Sequence, residues 1–195
     1  MNVNNSKLSN MNILIIVAHP VKDSFSFAMA NKYKTLAESK NHSAEIIDLY
    51  RCEHQQEFFT FEKVHELEKT KEMEFFQSKI SNADEIVFVF PYWWGSMPAI
   101  LKNFIDWNFA KGFAFTYKNS RPLGLLTGKS VSIMTSTGAP KFIYNITGAN
   151  RRLKNMFKQQ IINFCGMKLK SCIIIGGVDQ SKTDMKDQLN KIRFL

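Results

Sequence analysis

From Asn12 to its end, the chain alternates short apolar runs with longer amphipathic segments, and this order restricts its possible folds more than any other feature. The most apolar run, EIVFVF at residues 85–90, has the composition of a strand that is buried on both faces. Five such runs are predicted strands, at residues 12–19, 43–50, 85–90, 129–137 and 171–178. Five predicted helices follow them in turn, at residues 24–40, 62–80, 98–108, 150–164 and 182–192.

Alternating strands and helices predict a parallel sheet, because right-handed crossover connections place helices on both of its faces. We therefore expect one α/β domain over residues 1–195, a three-layer, doubly wound sheet of five parallel strands in the order 2-1-3-4-5. Residues 1–11 are expected to form a flexible N-terminal extension. Such sheets bind ligands outside the carboxyl ends of the strands, where the strand order reverses. The loops after strands 1, 3 and 4 are thus the places to look for function.

Composition excludes several classes of protein. No stretch approaches the roughly 20 apolar residues that span a bilayer, and the polar start MNVNNSKLSNMN lacks the apolar segment of a secretion signal, so we expect a cytoplasmic protein. The three cysteines form no CxxC pair and the four histidines show no ligand spacing, so no metal site is expected.

The net charge of +9 is concentrated near the end of the chain, where the last 55 residues hold 11 Lys/Arg against 3 Asp/Glu. A basic sector can attract a phosphate-bearing cofactor or be an ordinary solvated surface. No nucleic-acid-binding motif accompanies the charge, so nucleic acid is not an expected partner.

The loop after strand 1, AHPVKDSFSF, combines a helix N-terminus with the hydroxyls of Ser24 and Ser26. Together they suit a phosphate, although serine also caps helices that bind nothing. After strand 3, FPYWWGSM offers flat aromatic surface for a planar ring, unless both tryptophans are core residues. The long segment 112–128 begins with aromatic residues, which indicates that it covers part of the molecule.

After strand 4, TSTGAPKFIY can bring backbone amides close to a ring edge at Gly138, and Tyr144 can add a phenolic hydrogen bond. The same residues are also compatible with a simple polar turn. A phosphate site, an aromatic surface and a loop that permits close approach are what a flavin requires, so the three loops together favour a flavin site.

These segments resemble the flavodoxin-fold NAD(P)H:quinone reductases, the family of DT-diaphorase and of the ancillary flavoproteins of bacterial glutathione-gated potassium efflux systems. The resemblance rests on AHPVKDSFSFAM, on DLY at residues 48–50, on the stretch from FPYWWGSM to GFAFTY, and on TSTGAPKFIY. It implies a flavodoxin-like fold, FAD or alternatively FMN as cofactor, and NAD(P)H as electron donor. It also implies two-electron, ping-pong reduction of quinones or similar small aromatic acceptors by a homodimer whose active site lies at the subunit interface.

The resemblance also assigns residues by position. The phosphate contacts fall on His19, Ser24, Phe25 and Ser26. The flavin-ring contacts fall on Pro91, Tyr92, Trp93, Trp94, Gly95, Ser136, Thr137, Gly138 and Ala139. Tyr144 is the implied catalytic residue, assisted by Gly138, and Phe115 and Tyr117 are the aromatic pair offered to the active site of the partner subunit.

Three positions depart from the family pattern: Asn150 stands where diaphorase has a proton-relay histidine, Ala139 replaces a glycine, and Trp93 replaces a glutamine. Asparagine does not take up a proton at ordinary pH, so proton delivery is expected to differ. Two other functions remain open. One is a regulatory flavoprotein subunit that docks on a membrane potassium transporter, which is not favoured, and the other is a flavodoxin-type electron carrier, which ranks last because such carriers are acidic.

Overall fold

The computed structural model describes residues 10–61, 68–178 and 184–194. The strands of this part of the chain are β1 Asn12–Val17, β2 Ser43–Asp48, β3 Glu85–Pro91, β4 Phe115–Lys118, β5 Arg121–Gly124, β6 Ser130–Thr137 and β7 Lys168–Gly176. The helices are α1 Phe25–Glu38, α2 Lys71–Asn82, α3 Ala99–Asn108, α4 Lys141–Ile146, α5 Ala149–Asn155, which continues as the π-helix Met156–Ile162, and α6 Met185–Leu189.

Five of the strands form one parallel sheet in the order β2-β1-β3-β6-β7. The predicted α/β class and five-stranded parallel sheet are confirmed. The predicted order 2-1-3-4-5 needs correction, because it counted only five strands and the chain also forms an antiparallel hairpin, β4–β5, between β3 and β6.

Strand β3 shows how the two faces of the sheet are covered, since all seven of its residues are buried. Ile86, Phe88 and Phe90 belong to the apolar cluster that includes residues of α2, α3 and the π-helix, whereas Val87 and Val89 belong to the cluster under α1. Each buried side chain of this size contributes about 1.5–3 kcal/mol, so covering both faces fixes the strand in the centre. Within the described residues, no helix combines the length and apolar character needed to cross a membrane.

Two predicted helices have different bounds in the structure. Helix α2 begins at Lys71 and not at Glu62, because the hydroxyl of Thr70 accepts a hydrogen bond from the Met73 amide at 3.2 Å and caps the helix there. Residues 62–67, with the predicted core positions Val64 and Leu67, lie outside the described residues, as do residues 1–9 of the predicted extension. Helix α6 covers five residues of the predicted helix 182–192.

The hairpin is fixed firmly to the rest of the domain. A Cβ atom added to Gly124 would lie 2.1 Å from the backbone nitrogen of Gly166, so the two segments are in direct backbone contact. The Leu126 amide also donates to the carbonyl of Cys165 at 2.9 Å. The hairpin therefore holds Phe115 and Tyr117 in a defined position beside the end of the π-helix.

Candidate functional site

The carboxyl ends of β1, β3 and β6 lie side by side, which brings the three predicted loops to one edge of the sheet. The Ala18 amide donates to the Val89 carbonyl at 2.9 Å, and the Tyr92 amide donates to the Ser136 carbonyl at 2.8 Å. The pairing of Pro91 with Ser136 shows that β3 and β6 end at the same level. The edge chosen from the strand pattern is therefore where these loops meet.

The β1–α1 loop, residues 18–24, leads into the N-terminus of α1. Ser24 is the N-cap residue, and its hydroxyl lies 3.5 Å from the Phe27 amide. Phe25 and Ser26 form the first turn of the helix, and Ser26 is only 1% exposed. The Ser26 hydroxyl has no hydrogen-bond partner in the part of the chain that the structure describes. A buried hydroxyl left unpaired costs about 1–3 kcal/mol, so this turn has an unmet hydrogen-bonding requirement next to the positive end of a helix dipole.

His19 is half-buried in the same loop. Its Nδ1 lies 3.0 Å from the Val21 amide nitrogen and 3.1 Å from the Val21 carbonyl oxygen. Burial lowers the pKa of His19 below its usual value, and the nearby positive charge of Arg51 acts in the same direction. The imidazole is therefore neutral at pH 7, and its Nε2 lies outside the contact with Val21.

The aromatic turn, Trp93–Ser96, follows β3. It is closed by a hydrogen bond from the Ser96 amide to the Trp93 carbonyl at 2.9 Å, with positive φ at Trp94 (51°) and Gly95 (75°). Trp94 is fully exposed, at 103%, which excludes the alternative that both tryptophans of this turn are core residues. Trp93 is partly exposed, and its ring centroid lies 5.6 Å from that of His19, which links this turn to the β1–α1 loop.

Pro91 and Tyr92, predicted to contact the same ring, have buried side chains. The Tyr92 hydroxyl donates to the Ala149 carbonyl at 3.3 Å, and its ring lies 5.6 Å from that of Tyr144. The Tyr92 side chain is thus part of the core beneath the site, and it supports the position of Tyr144.

The β6–α4 loop, residues 138–140, is short because α4 begins at Lys141, a helix that the sequence did not predict. The Ala139 carbonyl accepts hydrogen bonds from the Thr137 hydroxyl and from the Gly177 amide, both at 2.9 Å. These bonds hold Gly138 and Ala139 against β7. Ser136 and Thr137 are buried, and Tyr144 lies half-buried on α4.

Among the described residues, three buried side-chain atoms lack a hydrogen-bond partner in the protein: Ser26 Oγ, Thr135 Oγ1 and Asn150 Oδ1. Ser26 follows the β1–α1 loop, Thr135 lies near the carboxyl end of β6, and Asn150 is in the first turn of α5. Asn150 donates through Nδ2 to Asn145 Oδ1 at 2.5 Å, so only its carbonyl oxygen is unpaired. The Ser26 hydroxyl can donate to a phosphate oxygen and the Asn150 oxygen can accept from an N–H group, and a flavin nucleotide carries both kinds of group.

Comparison with known proteins agrees with this geometry. Residues 11–193 match the protein family described as flavodoxin-like fold. An uncharacterized NAD(P)H oxidoreductase of Haemophilus influenzae is 30% identical over 162 residues, which cover 81% of this chain and 80% of that one. The chain belongs to the flavodoxin-fold NAD(P)H:quinone reductase family. The human ribosyldihydronicotinamide dehydrogenase [quinone] is 36% identical over 96 residues, so the alignment with that protein covers only 42% of its length and 48% of this chain.

Two solved structures have folds similar to that of this reductase-family chain. Smu.1420 of Streptococcus mutans superposes with a TM-score of 0.77 at 32% identity, over 93% of this chain and 96% of that one. An FMN-dependent NADH-azoreductase of Bacillus anthracis, solved in complex with FMN, has a TM-score of 0.67 at 20% identity, over 92% of each chain. The second likeness concerns the fold alone.

The predicted aromatic pair, Phe115 and Tyr117, lies on the hairpin. The Phe115 ring packs edge-on against Phe164 at 4.8 Å between centroids, while Tyr117 is exposed. Phe115 also borders an apolar cleft of about 650 Å³, whose other walls include Phe59, Phe113 and Asp106. The sequence did not predict this cleft, because its walls come from segments that are far apart along the chain.

Arg51, at the end of β2, is a further residue of the site that sequence reasoning missed. Its guanidinium donates to Asp48 Oδ2 at 2.7 Å and to the carbonyls of His19 and Pro20. It also lies 5.9 Å from the centre of the Phe27 ring. Arg51 directly follows the DLY segment, and β2 is the neighbour of β1 in the predicted strand order, so the topology could have drawn attention to it.

Proposed function

We propose that this chain is a flavin-dependent NAD(P)H oxidoreductase that reduces quinones or similar aromatic acceptors by two-electron, ping-pong transfer. The observation that carries the proposal is the buried Ser26 hydroxyl, unpaired among the described residues, in the first turn of α1 at the sheet edge that also carries the exposed aromatic turn. The name of the Haemophilus influenzae relative supports NAD(P)H-dependent oxidoreduction, and the name of the human relative supports a quinone as acceptor.

The residues divide between holding the cofactor and supporting the reaction. Ser26, the first amides of α1 and His19 bind the phosphate. Trp94 would cover the ring system of a bound flavin, and backbone N–H groups of residues 137–139 would stabilise negative charge at the polar edge of the ring in a partly dry site. A bound flavin supplies the hydride-transfer chemistry, and donor and acceptor use the same open face in turn.

Tyr144 donates a phenolic hydrogen bond at this face, and its position is fixed by the buried Tyr92 ring. Asn150, which is neutral at every ordinary pH, has an acceptor oxygen with no partner among the described residues but cannot store a proton. Proton delivery therefore depends on Tyr144 and on solvent.

The proposed cofactor is FAD, with FMN as the alternative, and the β1–α1 loop suits the phosphate that both carry. It includes a homodimer in which Phe115 and Tyr117 of one protomer line the pocket of the other. Within the described residues, the exposed ring of Tyr117 and the apolar cleft beside Phe115 give the hairpin an apolar surface suited to a second protomer.

The test is the visible absorbance spectrum of the purified protein, followed by mass identification of the cofactor released on denaturation. We expect a flavin spectrum, either as purified or after addition of FAD or FMN. Ser26→Ala should weaken flavin binding by about tenfold, the value of one hydrogen bond to a charged group. The control Ser130→Ala removes a hydroxyl at the opposite end of β6, where it contacts the Asp84 carbonyl, and should leave binding unchanged. A colourless protein that binds neither flavin contradicts the proposal.

A further inference from the structure

Arg51 connects two segments that meet at the carboxyl edge of the sheet. It follows β2, and its guanidinium reaches across to the β1–α1 loop, where it binds two successive carbonyls, those of His19 and Pro20. Asp48 Oδ2, 2.7 Å from Nη1, holds the guanidinium from the other side. These bonds use three of the five N–H groups of an arginine, and the side chain is 36% exposed, so the remaining donors are within reach of a ligand.

A single peptide unit transmits the effect of Arg51 to the imidazole of His19. In a trans peptide the C=O and N–H groups point in opposite directions. The carbonyl of the Pro20–Val21 peptide accepts from Arg51, and the N–H of the same peptide lies 3.0 Å from His19 Nδ1. Nδ1 accepts from this N–H when the ring proton is on Nε2, whereas a proton on Nδ1 would be donated to the Val21 carbonyl at 3.1 Å. By holding the Pro20–Val21 peptide with its N–H towards the ring, Arg51 favours the tautomer with the proton on Nε2.

An imidazole fixed in this way is a hydrogen-bond donor at Nε2 without being charged. Burial lowers the pKa of His19, the contact with the Val21 backbone opposes this, and the charge of Arg51 lowers the pKa further, so the doubly protonated form is disfavoured. An anion bound at the start of α1 would lie next to the first α1 amides and the Ser26 hydroxyl, and beside the loop that carries His19. The guanidinium of Arg51, which binds two carbonyls of the same loop, adds a planar, positively charged group that suits phosphate.

We propose that Arg51 is a positioning residue for the phosphate of the cofactor: it holds the Pro20–Val21 peptide, thereby keeps His19 as an Nε2–H donor, and adds its charge beside the phosphate. This inference rests on the proposed function, since it assumes a flavin nucleotide at this edge. The simpler alternative is that Arg51 and Asp48 form an ordinary surface ion pair, which contributes about 0–1 kcal/mol to stability and nothing to phosphate recognition.

Binding of riboflavin, FMN and FAD distinguishes these roles, because riboflavin has the ring system but no phosphate. Affinities would be measured by flavin fluorescence quenching for the wild type, Arg51→Gln and Arg51→Lys. Arg193→Gln is the matched control: Arg193 adjoins Phe194, which contacts Lys170 at the start of β7, so it lies at the opposite edge of the sheet. We expect Arg51→Gln to weaken FMN and FAD binding by about tenfold or more while riboflavin binding stays the same.

Arg51→Lys should restore part of the preference for the phosphorylated flavins, since it keeps the charge but cannot bind both carbonyls. Nitrogen-15 NMR of the His19 ring in the flavin-free protein gives a second readout. It should show the Nε2–H tautomer in the wild type and a mixture of tautomers in Arg51→Gln. Equal losses of riboflavin and FMN affinity in Arg51→Gln, or no loss at all, would overturn this inference alone. A wild type that binds none of the three flavins would overturn the proposed function and this inference with it.

Discussion

His19 is the histidine of the candidate site, and its titration should be visible in the stability of the protein. Its pKa is lowered in the folded chain, whereas in the unfolded chain it is about 6.5. Protons therefore bind the unfolded chain more readily, and the stability contributed by neutral His19 is complete above about pH 6.5 and is lost as the pH falls towards the folded-state value.

We predict that the free energy of unfolding of the flavin-free protein falls between about pH 7.5 and pH 5.5, and that His19→Gln makes this fall smaller. Urea unfolding at the two pH values measures both quantities. Comparing the variant with the wild type removes the contribution of the other titrating groups. The same pH dependence in both proteins would contradict the assigned environment of His19.

Tyr144 is the residue whose removal should separate catalysis from cofactor binding. Tyr144→Phe should lower turnover by about tenfold or more, because it removes the phenolic donor, and should change flavin affinity much less. Steady-state kinetics per bound flavin is the measurement. Tyr92→Phe is the control, since the Tyr92 hydroxyl bonds to the Ala149 carbonyl in the core and its loss should affect stability rather than turnover. Loss of flavin with unchanged turnover per bound flavin would refute this role of Tyr144.

The aromatic turn holds an exposed indole, that of Trp94, in a backbone conformation that lowers the stability of the protein. Trp94 has a φ of 51°, a left-handed conformation that costs a non-glycine residue about 1–2 kcal/mol, and its full exposure means that little packing offsets this cost. We predict that Trp94→Asn raises the free energy of unfolding of the flavin-free protein by about 1 kcal/mol, because asparagine tolerates this conformation, and weakens flavin binding. Chemical denaturation and flavin titration measure the two effects, and a less stable variant would show that Trp94 packs against the protein.

The hairpin depends on the backbone contact between Gly124 and Gly166. Gly124→Ala should destabilise the protein by about 1–3 kcal/mol, because the new methyl group would overlap the backbone of Gly166. Thermal unfolding tests this prediction, with Leu123→Ala, on an exposed position of the same strand, as the control of small effect. Unchanged stability of Gly124→Ala would mean that the hairpin can shift without cost.

At the scale of the whole molecule, a second polar cluster lies at the amino ends of the strands. Glu85 is fully buried, and it accepts hydrogen bonds from Tyr33 at 2.7 Å and from Ser132 at 2.6 Å, while Lys170 lies 2.8 Å away. Lys170 also lies 4.4 Å from the ring centre of Phe194. These polar groups are hydrogen-bonded to one another, in contrast to the unpaired Ser26 hydroxyl at the other edge. The cluster therefore holds the C-terminal segment in place rather than a ligand.

The sequence predicted the elements whose apolar pattern is strong, such as β3, and the three loops at the carboxyl edge. It missed the hairpin, because its turn is formed by Asn119 and Ser120 with positive φ and carries no glycine to mark it. It also missed the contacts of Arg51 with His19 and Pro20, because they arise only when β2 pairs with β1. Local patterns thus located the edge, whereas its detailed chemistry depends on contacts between distant segments.

An anaerobic titration of the flavin-loaded protein shows whether the chain transfers electrons from NAD(P)H through a bound flavin. We expect NADH or NADPH to bleach the visible flavin absorbance, and one equivalent of a quinone then to restore it without further addition of donor. A flavin-loaded protein whose absorbance is bleached by neither NADH nor NADPH would rule out this function.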